Sequence, residues 1–215
     1  VFSTHFDCVP PFFPSRVGGG RIYGRGACDA KGILAAQVAA ADQLRQGGES
    51  RIGLLFVVGE ERGSDGARAA NAVAAGSRYL VDGEPTDSRL GRATRGMLRV
   101  KLRASGRAAH SSFPELGESA IDKLLDALVE LRGTDLPSDP LLGRTHYTVG
   151  LIGGGVAPNV VSPSADAEVM FRTVGDSHAV LDAIRPLERL VVIDHVLEVP
   201  PARMTTVPGF ETAVF

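Results

Sequence analysis

The 215-residue chain has no tryptophan, three methionines and only two cysteines, Cys8 and Cys28. Two cysteines without CxxC spacing exclude a disulfide scaffold and a thiolate zinc knuckle. They fit reduced thiols in a cytoplasmic setting. No apolar run approaches the ~20 residues of a membrane-spanning helix, so no membrane partner is expected. Lys and Arg are scattered among Asp and Glu, and the net charge is -2. With no basic stripe, nucleic acid is excluded as a partner. Gly153-Gly154-Gly155 is not followed by GK[ST], so it reads as a flexible turn and not a phosphate loop. Repeats and low-complexity tracts are absent. There is no initiator methionine or signal peptide. The chain begins inside an apolar run and stops as a new element begins, so we expect a piece of a longer protein, truncated at both ends.

What is present is enough for packed domains: 44% hydrophobic and 22% charged residues. Val1–Thr4 predicts a buried strand. A loop rich in Pro and Gly follows, then a helix after Asp29 that runs to Gln46 and stops at Gly47-Gly48. Arg51–Val58 is a continuous apolar run, expected to be a strand buried on both faces. Asp65–Ala75 reads as a helix and Tyr79–Asp82 as a strand. Strand, helix, strand, helix, strand is the pattern of an α/β fold: a mostly parallel open sheet with helices on both faces. Ligands of such sheets sit beyond the carboxyl ends of the strands.

After about residue 94 the period changes. Met97–Ala104 alternates, with Leu98, Val100, Leu102 and Ala104 on one face and Arg99, Lys101 and Arg103 on the other, as in a half-solvated antiparallel strand. Ser119–Leu131 predicts an amphipathic helix with Ile121, Leu124, Leu125, Leu128 and Val129 on its apolar side. Strands at Thr145–Ile152, Ala165–Thr173 and Val191–Val199 and a helix at Ser177–Leu187 complete a βαββαβ order, that of a ferredoxin-like α+β unit. The expected organisation is a catalytic metal-binding domain at 1–93, an inserted lid and dimerisation domain at 94–199, and a return to the catalytic domain at 200–215 marked by Pro200-Pro201.

The acids carry the chemistry. Asp7, Asp29, Glu60, Glu61 and Glu84 would converge with His5 at one sheet rim. So many carboxylates repel unless protonated or neutralised. Lys31 and Arg62 supply part of the charge, and a divalent metal supplies it more completely. Imidazole with carboxylates suits zinc, cobalt or manganese. In His5-x-Asp7 the two residues share a strand face, so His5 can bind metal while Asp7 stands behind it. By itself the pair is commonly structural. Asp29 can bridge two metals or simply cap a helix. Glu60-Glu61 ends an apolar strand. One acid can bind metal while its neighbour takes a proton from activated water, or the two form a solvated turn. Glu84 alone would be an ordinary turn acid.

Together these segments resemble the family of two-zinc metallohydrolases that includes acetylornithine deacetylase, succinyl-diaminopimelate desuccinylase and carboxypeptidase G. The matching phrases are Ser3-Thr4-His5-Phe6-Asp7-Cys8-Val9-Pro10, Tyr23-Gly24-Arg25-Gly26-Ala27-Cys28-Asp29-Ala30-Lys31-Gly32, Gly59-Glu60-Glu61-Arg62-Gly63-Ser64 and Gly83-Glu84-Pro85-Thr86. The resemblance implies a hydrolase of the amide bond of an N-acyl amino acid or small peptide, or a dipeptidase, aminopeptidase or carboxypeptidase. It implies two divalent ions, zinc before cobalt or manganese. His5 and Glu84 would serve one ion, Glu61 the other, and Asp29 both. Glu60 would be the general acid/base acting on a metal-activated water, with Asp7 behind the histidine. In the lid, His110 would reach a neighbouring subunit's site, Asn159 and Arg172 would bind substrate, and the lid would make a homodimer. The family's second ion also takes a histidine late in the catalytic domain. The histidines here are His5, His110, His146, His178 and His195, so that ligand is expected beyond the chain's end. A third reading is an inactive binding or dimerisation module.

Overall fold

The computed structural model describes residues 1–73 and 76–204. They divide into two compact units, with the boundary between Leu90 and Gly91.

In the first unit, strand β1 (Phe2–His5) is followed by helix α1 (Ile33–Gln46), strand β2 (Leu54–Val57), helix α2 (Asp65–Asn71) and the short strand β3 (Val81–Asp82). The sheet is parallel, in the order β2-β1-β3. Helix α1 packs on β1 and β2, and α2 on β2. A small hairpin, Arg16–Gly18 with Arg21–Tyr23, lies between β1 and α1. The Arg51–Val58 run was expected to be buried on both faces. In the structure only Leu54–Val57 pairs, at the sheet edge, and Leu54 and Val58 are 43% and 47% exposed. An edge strand gains cover from one neighbour only, so the apolar run overstates its burial. Of the Asp65–Ala75 helix, Asp65–Asn71 is helical and residues 74–75 lie outside the described residues.

The second unit runs β4 (Met97–Ser105), α3 (Ala120–Gly133), β5 (His146–Gly154), β6 (Ser164–Arg172), α4 (Ser177–Ile184) and β7 (Val192–Val199). All pairings are antiparallel and the order is β5-β6-β4-β7. This is the ferredoxin-like arrangement the βαββαβ order predicts. Leu98, Val100, Leu102 and Ala104 of β4 face the core together with Val169 and Phe171 of β6. On the other face Lys101 pairs with Asp166 and Arg103 with Asp194. Ser119 caps α3 by accepting the Asp122 backbone N–H.

The apolar side of α3 is the expected one only in part, at Leu124 and Leu128. Its buried stripe is Ala120, Leu124, Ala127 and Leu131, while Ile121, Leu125 and Val129 face outward. Alanines permit close approach to the sheet, so the smaller residues turn inward. Gly153 and Gly154 are strand residues paired with Asp166 and Ala165, which leaves Gly155 for the turn. Pro186 ends α4, and Arg185–Arg189 continues as a 3-10 turn.

Ala202–Arg203 pairs with Ala93–Thr94. Both segments belong to the second unit, so residues 93 and 200–204 group there and not with the first unit as expected. The remainder of the expected return, 205–215, lies outside the described residues. Among the described residues no helix is long and apolar enough to cross a membrane.

Candidate metal centre

His5 closes β1 and is 2% exposed. Its Nε2 lies 2.8 Å from Asp29 Oδ1, and its Nδ1 lies 3.4 Å from Asp7 Oδ1. That second distance is long for a hydrogen bond, and Nδ1 has no hydrogen-bond partner among the described residues. Asp29 has extended backbone, φ -112° and ψ 99°, inside the tight turn Ala27–Gly32 that leads into α1.

Gly59 follows β2 with a φ of 73°, a left-handed conformation that glycine adopts freely, and bends the chain into the turn Glu60–Arg62. The Asp7 carboxylate accepts the backbone N–H groups of Glu60 and Glu61, each at 3.3 Å. One acid therefore ties the end of β1 to the turn that carries the acidic pair.

Glu84 comes two residues after β3. His5, Asp29 and Glu84 each offer a ligand atom, and the three atoms lie within 4.8 Å of one another. Glu61 does not join this group. The structure thus gathers three of the four expected ligands, and of the fourth, Glu61, it ties the backbone N–H to Asp7.

The electrostatics follow from crowding. Burial pushes Glu84 up to about 7; His5 opposes the rise, and Asp82, Asp29 and Glu60 add to it. Burial also raises Glu60, opposed by His5 and reinforced by Glu61, Asp29 and Asp7. Burial would lower His5, but the hydrogen bond to Asp29 and the carboxylates of Glu84 and Glu60 outweigh it and raise the imidazole. Asp7 is held low: burial would raise it, and the N–H groups of Glu61 and Glu60 prevail. These acids keep an open face to water, which screens part of each effect. The cluster holds more negative charge than His5 offsets, and one imidazole with two carboxylates is a donor set suited to a divalent cation such as zinc, cobalt or manganese.

Lys31, expected to offset the acids, donates instead to Cys8 Sγ at 2.7 Å. Cys8 and Cys28 form no disulfide. Two residues escaped the sequence reading. Asp82 is raised by burial, and Gln37 is buried on α1. A single polar residue within the apolar stretch Ile33–Ala41 of α1 was the only signal for Gln37.

In the second unit, His110 and Asn159 are knit together. Val160 bridges His110, and Ser111 N–H donates to Asn159 O at 2.9 Å. Ser112 N–H donates to His110 Nδ1 at 3.2 Å, which leaves Nε2 as the free ring nitrogen. Arg172 is not with them. It ends β6 opposite His146, whereas Ser164, at the other end, bonds Gly155. The eight residue steps between them span about 26 Å of strand.

An open parallel sheet with histidine and carboxylates gathered at the carboxyl ends of its strands defines the class: an α/β protein with a candidate metal centre of one imidazole and two carboxylates. The chain belongs to peptidase family M20/M25/M40, whose profile matches residues 1–204. A peptidase M20 domain-containing protein of Schizosaccharomyces pombe is 38% identical over 224 residues, covering 100% of this chain and 55% of the relative. A probable carboxypeptidase of Aspergillus terreus is 42% identical over 212 residues, covering 90% and 48%. The chain thus spans about half the length of the curated relatives it matches. Among solved structures, the aminopeptidase PepT of Bacillus cereus shares the fold with a TM-score of 0.72 at 19% identity, over 99% of this chain and 61% of that one.

Proposed function

We propose that the protein to which this chain belongs is a metal-dependent hydrolase that cleaves the amide bond of a small peptide, with carboxypeptidase-type substrates ahead of N-acyl amino acids. The observation that carries this reading is the convergence of His5, Asp29 and Glu84 within 4.8 Å, with Glu60 on the adjoining turn. The relatives named probable carboxypeptidases favour the peptide side. The likeness to acetylornithine deacetylase, succinyl-diaminopimelate desuccinylase and carboxypeptidase G keeps deacylation as the second substrate class.

His5 and Glu84 would hold one ion, Asp29 would serve both, and Glu61 would serve the second together with the histidine expected from beyond this chain. Bound there, two divalent ions, zinc first, would neutralise the acids and activate water for attack on a carbonyl. Glu60 receives the water's proton and passes it to the leaving amine. Its raised affinity for a proton suits that role. Asp7 holds the Glu60–Arg62 turn through two backbone bonds and faces the rear of His5.

In the second unit, read as the lid, His110 presents Nε2 as a donor to a developing oxyanion and Asn159 contacts substrate from the same loop cluster. Arg172 suits a substrate carboxylate. At about 26 Å of strand from the Asn159 end, it cannot grip the same small substrate within one copy. A homodimer is the expected partner. The outer edge of β5 is unpaired among the described residues, with Leu151 and Ile152 64% and 60% exposed. The outward stripe of Ile121, Leu125 and Val129 adds apolar surface.

The test is Glu60→Ala in the intact protein. We expect turnover to be abolished with two equivalents of metal retained after dialysis. Retained turnover would refute Glu60's role, and a parent protein holding no metal would refute the metal-centre reading. A panel of peptidyl, N-acetyl and N-succinyl substrates ranks the substrate classes. Light scattering on the intact protein checks the dimer, and a monomer counts against it.

A further inference from the structure

We infer that Gln37 is a positioning residue for the metal centre, setting through its side-chain amide the spacing of the three chain segments that carry His5, Asp29 and Glu84. The inference rests on the metal-centre reading above.

Gln37 lies on α1, the helix that follows the Asp29 turn, and is buried. Its Nε2 donates to the carbonyl oxygen of Ser3 at 2.8 Å. Ser3 stands two residues before His5 on β1. The same oxygen accepts Gly83 N–H at 2.8 Å, and Gly83 immediately precedes Glu84. A carbonyl oxygen has two lone pairs. Here both are taken by donors from the other two ligand-bearing segments. Thr4, 1% exposed, adds a third tie by donating its hydroxyl to Gly83 O at 2.8 Å.

The junction has no slack. A Cβ at Gly83 would fall 2.5 Å from Gln37 Nε2 and 2.5 Å from Ile33 Cγ2. The amide is therefore pressed against the backbone that delivers Glu84, and the register between α1, β1 and β3 is fixed where the ligands leave them.

Filling space does not account for Gln37. Its Oε1 is buried without a hydrogen-bond partner among the described residues, and an orphaned acceptor is destabilising. Methionine would occupy similar volume without that penalty, and Ser3 O would keep its Gly83 donor. A structural role and a positioning role therefore predict different outcomes for the same substitution.

Gln37→Met and Gln37→Leu, made in the intact protein, separate them. Zn²⁺ affinity is read by competition with a chromophoric chelator, and the thermal midpoint is read on the metal-free protein. We expect roughly tenfold weaker Zn²⁺ binding, as when groups that orient ligands are removed, with a metal-free midpoint equal to or above the parent's. Unchanged or tighter Zn²⁺ binding in both variants overturns the inference. So does a midpoint that falls along with affinity in both, which marks general loosening. A parent that binds no Zn²⁺ refutes the metal-centre reading itself. A parent that binds Zn²⁺ beside variants that bind equally well refutes only the role of Gln37.

Discussion

Seventeen buried hydrophobic residues, from Leu98 to Val191, form one contiguous cluster in the second unit. Among the described residues of the first unit, the buried hydrophobic ones are Ala30 and Ala41, and the buried polar ones are Ser3, Thr4, His5 and Gln37. The second unit obtains its register from alternation and side-chain volume. The first, around β1, obtains it from hydrogen bonds between segments distant in sequence. A hydrophobic interior tolerates small shifts, because apolar contact is non-directional. A polar interior does not, because each donor must meet its acceptor within a few tenths of an ångström. The candidate metal ligands His5, Asp29 and Glu84 sit on the interior that holds position more strictly.

This contrast breaks or sharpens under four measurements. The largest effect is expected for Phe171→Ala in the second unit, where the side chain is 0% exposed. It should lower unfolding free energy by about 3–5 kcal/mol in denaturant and leave Zn²⁺ affinity at His5 unchanged. A shift in affinity would show that the two interiors share energy.

Next comes Thr4→Val in the first unit. It keeps the shape and removes the hydroxyl that serves Gly83 O. We expect a loss of about 1–3 kcal/mol together with weaker Zn²⁺ binding. A neutral result would mean that the polar interior is not directional after all.

Ser119→Ala removes the α3 cap. It should cost about 1 kcal/mol, detected as a modest midpoint shift with the ligands unaffected.

The smallest effect is that of pH on the metal-free protein, since the acids concerned keep a face to water. Glu84 titrates near 7 in the folded chain against an ordinary 4.5. The folded state therefore binds more protons across that window, and stability falls as pH rises through it. His5, raised above 6.5, acts in the same sense: its contribution is full below its ordinary value and is lost as pH rises through the folded one. Asp7, held below 3.8, acts oppositely, and its contribution is lost only as pH falls below that value. The metal-free midpoint should be lower at about pH 8 than at about pH 5.5. Added Zn²⁺ should reverse the order, because its ligands bind deprotonated. A flat profile would show that the acids are not crowded.

Most of the fold could be read from periodicity. The alternation of Met97–Ala104, the amphipathic pattern of Ser119–Leu131 and the stop at Gly47 placed β4, α3 and the end of α1 within a few residues. The inward side of α3 was misread in part because two apolar stripes lie next to each other, and the sheet accepted the one with alanines. The Arg51–Val58 run was misread because a sequence window does not show whether a strand has one neighbour or two. Residue types marked the metal rim, since carboxylates at apolar strand ends are costly without a cation.

Sequence alone determined which residues carry ligand-type side chains near the strand ends, because that chemistry resides in residue identity: His5, Asp29, Glu61 and Glu84; the structure brings His5, Asp29 and Glu84 together. A change of pattern near residue 94 was likewise visible in the residues themselves, because periods of two and of 3.6 differ at short range. Only the tertiary structure decided that Glu61 stands outside the tight trio and that Arg172 lies far from Asn159. It alone showed that Gln37 meets Ser3 O, 34 residues away in the chain. Those outcomes depend on hydrogen bonds to backbone atoms and on strand register, and a backbone carbonyl carries no mark in the sequence to say which side chain will find it.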